Sequence, residues 1–522
     1  MNFPILLTVL LVPLVAVPFV YLAGRKSAKY AAILLALVAA ADLGLILTTV
    51  SSILNNSGNV YSESYPWISV LNSQFTLSVD GIGISMAIVT MVLMLTAALY
   101  SINYMEGKKN LPIYYALLSL LFVGLVGVFI TSNLLFFYFC WELMLVPAYF
   151  IIGGWGYKDS YKTSFKFFVF THAGAVFVLL GIGAMFMLTG SLNFTAVQQA
   201  FLTNPALADT AKFVLIAVTA GFMVKMAIVP VHMWLPDAYA EAPAPMSALL
   251  GGVLTSAGAY AVIRVSIGII FPAVAGTTFG NNFLEGLAIF GVISAFFGSF
   301  IALAETDLKR VIAYSSISHM GYILFGASLI PVGLTAAGAG SVIQNALTGT
   351  VLHIVTHALS KGLFFLAAGG VMQVLALRNI KEMGGLAGKM PVTGTSSTIA
   401  ALSLAGAPPF ACFISEFLIF MGAFQVIQGN SALAGFFIIP TALMLVATVF
   451  SLGYSLRFTS LVFLGQSKNP TVEGAKKKLE VPRFMQLAMV ILVVLVVIVG
   501  VYPAFFVNLI NTASHLAAMI PV

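Results

Sequence analysis

Residues 221–241 read GFMVKMAIVPVHMWLPDAYAE, and whether this stretch lies in water or in a membrane decides the fold. Lys225 sits inside an otherwise apolar helical run. Pro230 interrupts that run, and His232 and Asp237 follow. In water this would be an ordinary helix end. In hydrocarbon a lysine at depth is costly, and a proline there frees backbone groups that need another partner. An ionisable group in such a place marks an ion path by default.

The remainder of the chain identifies the solvent. Of 522 residues, 61% are hydrophobic and only 7% charged, whereas a soluble domain carries about 25% charged residues. The composition predicts an all-α polytopic membrane protein. Apolar runs give about 14 transmembrane helices, the seventh near 211–230 and the twelfth near 393–426. The first run, 3–22, lacks the basic and small-residue flanks of a signal peptide and reads as a retained span.

The net charge of +7 is concentrated in loops. Arg25, Lys26 and Lys29 follow the first span, Lys108 and Lys109 the third, and Lys158, Lys162 and Lys166 the fifth. Lys309 and Arg310 follow the ninth, Arg378, Lys381 and Lys389 the eleventh, and Lys468, Lys476, Lys477, Lys478 and Arg483 the thirteenth. The alternate loops (51–78, 272–282, 332–341, 427–434) carry neither lysine nor arginine. This alternation predicts a multi-pass protein of the cell (inner, cytoplasmic) membrane, with the basic loops in the cytoplasm and both termini outside. It is an orientation signal and does not suggest nucleic-acid binding. Cys140 and Cys412 have no CxxC partner, so no disulfide, zinc site or iron–sulfur cluster is expected. No loop is long enough for a soluble catalytic domain, and no phosphate-binding glycine motif occurs. If the chain belongs to an enzyme, the redox or hydrolytic chemistry lies on another subunit.

Within the spans, ionisable residues form a sparse set. Glu142 lies in NLLFFYFCWELMLVPAYFIIGGWG on the fifth span. Desolvation disfavours the charged form of a carboxylate or an amine, and an opposite charge restores it. A Glu142–Lys225 pair can therefore switch between paired and separated protonation states, as a proton relay requires. In VLHIVTHALSKGLFFLAAGG, on the eleventh span, His353, His357 and Lys361 recur at i, i+4, i+8 and share a helix face. They read as a wet proton path; a metal site on His353 and His357 lacks a third ligand. The twelfth span, AALSLAGAPPFACFISEFLIF, is broken by Pro408 and Pro409 and carries Glu416. His319, in AYSSISHMGY, is a further relay candidate or a structural hydrogen-bonder. Asp80 reads as a helix cap, Asp42 as lipid-facing or paired with a partner subunit, and Arg264 as an outer-interface residue; none is expected to carry ions.

Four segments, FYFCWELMLVPAYFIIGGWG, VKMAIVPVHMWLPDAYAEAPAPMSALLGGVL, LKRVIAYSSISHMGYILFG and GAPPFACFISEFLIF, resemble the antiporter-like proton-pumping membrane subunits of respiratory complex I. The same family includes the large subunits of multisubunit sodium/proton antiporters and membrane-bound hydrogenases. The resemblance runs through residues 70–465. It implies N-terminal helices 1–3 in 1–110 and two inverted five-helix repeats, 111–271 and 283–463, with helices 7 and 12 broken. A basic loop and a last helix follow in 464–522. It further implies a relay with Glu142 and Lys225 as the charge pair, His319, His353 and His357 as connectors and Glu416 as terminal group. Glutamate at 416 resembles the M-type subunit. Two positions depart from the pattern. Ser256 stands where the family has lysine or histidine, so water, organised by Ser256 or His232, would carry that step. Lys361 is more typical of the L-type and antiporter subunits.

The resemblance implies no cofactor in this chain. NADH or another donor, flavin, iron–sulfur clusters and quinone would be used by partner subunits. Those partners would be other antiporter-like and small membrane subunits with a peripheral redox arm. The ion is expected to be the proton, and the same ligand types also suit sodium. The rivals are an antiporter or hydrogenase subunit, and a scaffold that moves no ions.

Overall fold

The computed structural model describes residues 3–55, 60–71, 73–335, 340–429, 432–467, 472 and 478–513. Lys468, Lys476 and Lys477, and residues 336–339 of the loop expected at 332–341, lie outside the described residues. Among the described residues, fourteen helices are long and apolar enough to cross a membrane. Four of them make the centre: span 3 (Gly81–Tyr104), span 8 (Ala244–Val274), span 10 (Leu308–Val332) and span 11 (Asn345–Leu375), each at least 89% buried over its most apolar window. Spans 1, 13 and 14 are peripheral, with 33–39% of that window buried. The central helices are also the ones that carry the buried histidines and Lys361, which lipid would not tolerate.

The two broken helices stop for one reason. A proline has no N–H to give to the carbonyl four residues earlier, and its ring clashes with that carbonyl. Pro230 therefore ends span 7 (Pro205–Met226) at Met226, and Pro408 ends the helix Pro391–Leu404 at Leu404. After each stop the backbone turns left-handed, at Ala227 (φ 57°) and Gly406 (φ 64°). The chain resumes as a short helix, Leu235–Glu241, in the first case and as span 12, Ala411–Gln428, in the second. The freed Val224 carbonyl accepts a hydrogen bond from the Trp234 indole at 2.9 Å, and Ser294 accepts one from the Val229 N–H at 3.0 Å. Both Val229–Pro230 and Pro408–Pro409 are cis.

One element departs from the all-helical expectation. Within 51–78, Tyr61–Ile68 and Ser73–Val79 form an antiparallel hairpin. Its Glu63 carboxylate accepts from the backbone N–H groups of Leu6 and Leu7 at 2.9 and 3.0 Å. It thereby satisfies two of the orphan donors at the start of the first helix, where negative charge is favoured.

The three weak acidic and basic readings resolve differently. Asp80 caps span 3 by accepting from the Ile82 and Gly83 N–H groups. Arg264 is largely buried; it holds Asp80, at the start of span 3, through two guanidinium nitrogens and also reaches Tyr260. Its own helix has wound into a π-helix over Val262–Ile270. Breaking one side of a buried ion pair strands the other charge. Arg264→Leu or Asp80→Leu alone should destabilise by about 3–5 kcal/mol, and the double variant by less than either. Thermal unfolding of the purified subunit checks this, and an additive double variant would contradict it. Asp42 is fully buried among neighbouring helices, which corrects the lipid-facing and partner-pairing readings. Neither of its oxygens has a hydrogen-bond partner among the described residues. The absence of lysine from the non-basic side is not complete either, because Lys212, paired with Asp209, lies near the start of span 7.

Candidate functional site

In the first half, Lys225 is 2% exposed near the end of span 7. Its ammonium stands 4.5 Å from the centroid of the Trp141 ring. Trp141 and Glu142 are adjacent on span 5 (Leu134–Trp155), close to a kink at Met144. Glu142 is not within ion-pair distance (4.0 Å) of Lys225. Its Oε2 instead meets Nδ1 of His172 at 3.1 Å, and its Oε1 is without a hydrogen-bond partner among the described residues. His172, on span 6 (Ser160–Thr189), is the functional-site neighbour that the sequence reading passed over. The signal was available: it is a lone imidazole in an otherwise apolar stretch of a membrane helix.

Span 8 and the short helix before it are hydroxyl-rich here. Ser256 is fully buried on span 8 and donates to the Gly252 carbonyl of its own helix at 2.7 Å. Beside it, the Tyr239 phenol donates to the Leu250 carbonyl at 2.8 Å and to the Thr255 hydroxyl at 3.2 Å. A π-helical turn, Leu250–Leu254, presents that carbonyl. Such turns recur at functional sites. His232 is half-buried against the Phe297 ring (4.6 Å between centroids), and its Nδ1 has no partner among the described residues.

In the second half the sequence spacing misleads about which groups meet. His353 lies along one face with His357 and Lys361, and all three are fully buried. Its bonding partner, however, is His319 on span 10, with Nε2 of His353 3.2 Å from Nδ1 of His319. The chain continues at both ends. His319 Nε2 lies 3.2 Å from the Tyr454 phenol, His353 Nδ1 lies 2.9 Å from the Ser415 hydroxyl, and Ser415 lies 3.0 Å from Thr356. All four ring nitrogens of this pair are thus engaged. His357 has neither ring nitrogen bonded among the described residues and sits 5.5 Å from the His319 ring centroid.

Lys361 donates to the Ile312 carbonyl at 3.1 Å and to the Ser315 hydroxyl, both on span 10. Glu416 packs beneath the break in helix 12. Gly406, left-handed at φ 64°, has no side chain to crowd the Glu416 carboxylate that approaches it. Ligand-type atoms of His319, His353 and Glu416 lie within 4.8 Å of one another. This group is a different one from the His353–His357 pair, since His357 is not among its members. A cation there would have to displace the hydrogen bonds that now use every nitrogen of the two rings.

Many apolar spans, two of them interrupted at prolines, are the architecture of antiporter-like membrane subunits. A family model described as "NADH:quinone oxidoreductase/Mrp antiporter, TM" matches residues 131–440. The chain is 32% identical over 448 residues to NADH-quinone oxidoreductase subunit M of Escherichia coli K12, covering 84% of this chain and 81% of that protein. It is 30% identical over 391 residues to the F(420)H(2) dehydrogenase subunit M of Methanosarcina mazei, covering 73% and 74%. In fold it is similar to a chain of respiratory complex I from Thermus thermophilus, with TM-score 0.83, 21% identity, and coverage of 99% and 100%. The chain belongs to the NADH:quinone oxidoreductase/Mrp antiporter membrane family.

Proposed function

We propose that this chain is the M-type, proton-translocating membrane subunit of a redox-driven pump of the complex I kind. The observation that carries the proposal is the buried chain from Tyr454 through His319 and His353 to Ser415, with Lys361 and Glu416 beside it. Imidazoles bonded nitrogen to nitrogen pass a proton by accepting on one side and releasing on the other. Lys225 and Lys361 hold the mobile charge of each half, and Glu416 releases it. The halves are the inverted repeats 111–271 and 283–463, each with a helix stopped four residues before a proline. The basic face lies in the cytoplasm and both termini outside the cell membrane.

The switch in the first half is Glu142. Paired with His172 it leaves Lys225 against Trp141; swung across, it pairs with Lys225. Redox energy from partner subunits, which hold flavin, iron–sulfur clusters and the quinone site, drives that exchange. Relatives named for NADH and for F(420)H(2) support the view that this subunit is the part of such machines that does not depend on the donor. His172→Phe keeps a ring but removes the alternative partner, and proton uptake by the assembled complex should slow by about tenfold. Unchanged uptake would remove His172 from the switch. The whole reading is tested in proteoliposomes with Lys361→Met, where coupled proton uptake is expected to collapse.

A further inference from the structure

Lys309 stands next to Arg310 in sequence and counts there among the loop charges. The structure instead buries it completely, in the first turn of span 10. Its ammonium donates to the Ala242 carbonyl at 2.5 Å and to the Ala240 carbonyl at 3.3 Å. These carbonyls end the short helix that follows the break in span 7. The ammonium also lies 5.2 Å from the centroid of the Tyr157 ring, whose phenol meets that of Tyr104 at 2.5 Å.

Charged groups surround it on the basic face. Arg378 bonds Glu241 at 2.8 Å and Asp307 at 2.6 Å, and the Lys108 ammonium lies 5.9 Å from the Tyr157 ring centroid. Glu241 and Asp307 are only 12% and 19% exposed, so they are the innermost carboxylates that water reaches here. On the inner side, Ile312 is one turn along the same helix, about 4.5 Å of rise away. Its carbonyl is the one that holds Lys361.

A lysine at a helix C-terminus is usually a cap. Here that role has a second occupant. The Arg378 guanidinium already reaches the Ala240 carbonyl at 3.4 Å, and it keeps its charge permanently. Lys309 adds the one thing arginine cannot supply, a buried cation able to give up its proton.

The geometry points to Lys309 as the proton-loading site of the second half, filled from the Glu241 and Asp307 cluster and emptied into Lys361. In the transfer, an N–H bond of the Lys309 ammonium breaks and an N–H bond forms on a neutral Lys361 amine, the proton passing through water between Lys309 and the Ser315 hydroxyl that Lys361 bonds. Neutral Lys309 then takes a proton from the basic-face water held by the two carboxylates. One positive charge moves inward, and nothing is oxidised or reduced. The inference rests on Lys361 being a relay group.

The test uses the whole assembled complex in proteoliposomes, turning over its own donor and quinone, with Lys309→Arg and Lys309→Gln beside Lys361→Met. Arginine keeps the charge and the donors, and glutamine keeps a donor at smaller size. A cap therefore survives either change, whereas a loading site survives neither. Expected is a loss of coupled proton uptake of about tenfold or more in both Lys309 variants, in complexes that assemble normally. Normal uptake with either variant, while Lys361→Met fails, overturns the loading role alone. Normal uptake by Lys361→Met overturns the relay reading and this inference with it.

Discussion

Lys225→Ala is expected to lower coupled proton translocation by about 100-fold or more, with electron transfer persisting in part. The reason lies in what surrounds the ammonium. Placing a lysine at the centre of a membrane helix costs about 3 kcal/mol on insertion scales. A desolvated contact with an indole face returns about 2 kcal/mol or more. Trp141, at 4.5 Å, therefore offsets much of that cost without supplying a hydrogen bond. The ammonium is held without being locked, and a carboxylate swinging from His172 is enough to change its state. Alanine removes the titratable group and leaves Glu142 with one partner only. Lys225→Met, which keeps the apolar stem and so the packing, should lose as much, separating chemistry from space-filling. Acidification of the liposome interior, measured against donor oxidation, reads both.

Lys361→Met is expected to cause a loss of the same order, about 100-fold, at little structural cost. The two groups that hold Lys361 retain other partners. The Ser315 hydroxyl still bonds the Ile312 carbonyl at 2.8 Å, and Ser316 reaches that carbonyl at 3.3 Å. Methionine nearly matches the lysine stem in volume, and Met is well tolerated in packed interiors. What disappears is the only lysine beside the His319–His353 chain among the described residues. Groups acting as one unit are far from additive. The Lys225→Ala, Lys361→Met double variant should therefore pump no worse than either single one.

The broken helices were legible because their cause is local: the missing proline N–H acts at a fixed distance of four residues, so the stops at Met226 and Leu404 follow from Pro230 and Pro408. The fourteen spans were legible because crossing a bilayer demands length and apolarity, which composition displays directly. What spacing cannot show is which face of one helix meets which face of another. Hence His353 was grouped with His357 on its own helix, while its partner was His319, 34 residues away. The same blindness hid His172, which faces Glu142 across 30 residues. Lys309 is buried for a related reason. Charge counting places a lysine beside a short loop in water, but the segment returning from the broken helix lies over it and supplies carbonyls instead. The hairpin in 61–79 could have been found from the alternation of aromatic and polar residues in YSESYPWI, which has the period of a strand.

The number of protons moved per electron transferred, in proteoliposomes holding the assembled complex with Lys225→Ala or Lys361→Met, bears most directly on whether this chain conducts. The buried relay requires that ratio to drop in both variants while the complex stays intact. A ratio equal to that of the unaltered complex in either variant would mean that protons cross elsewhere.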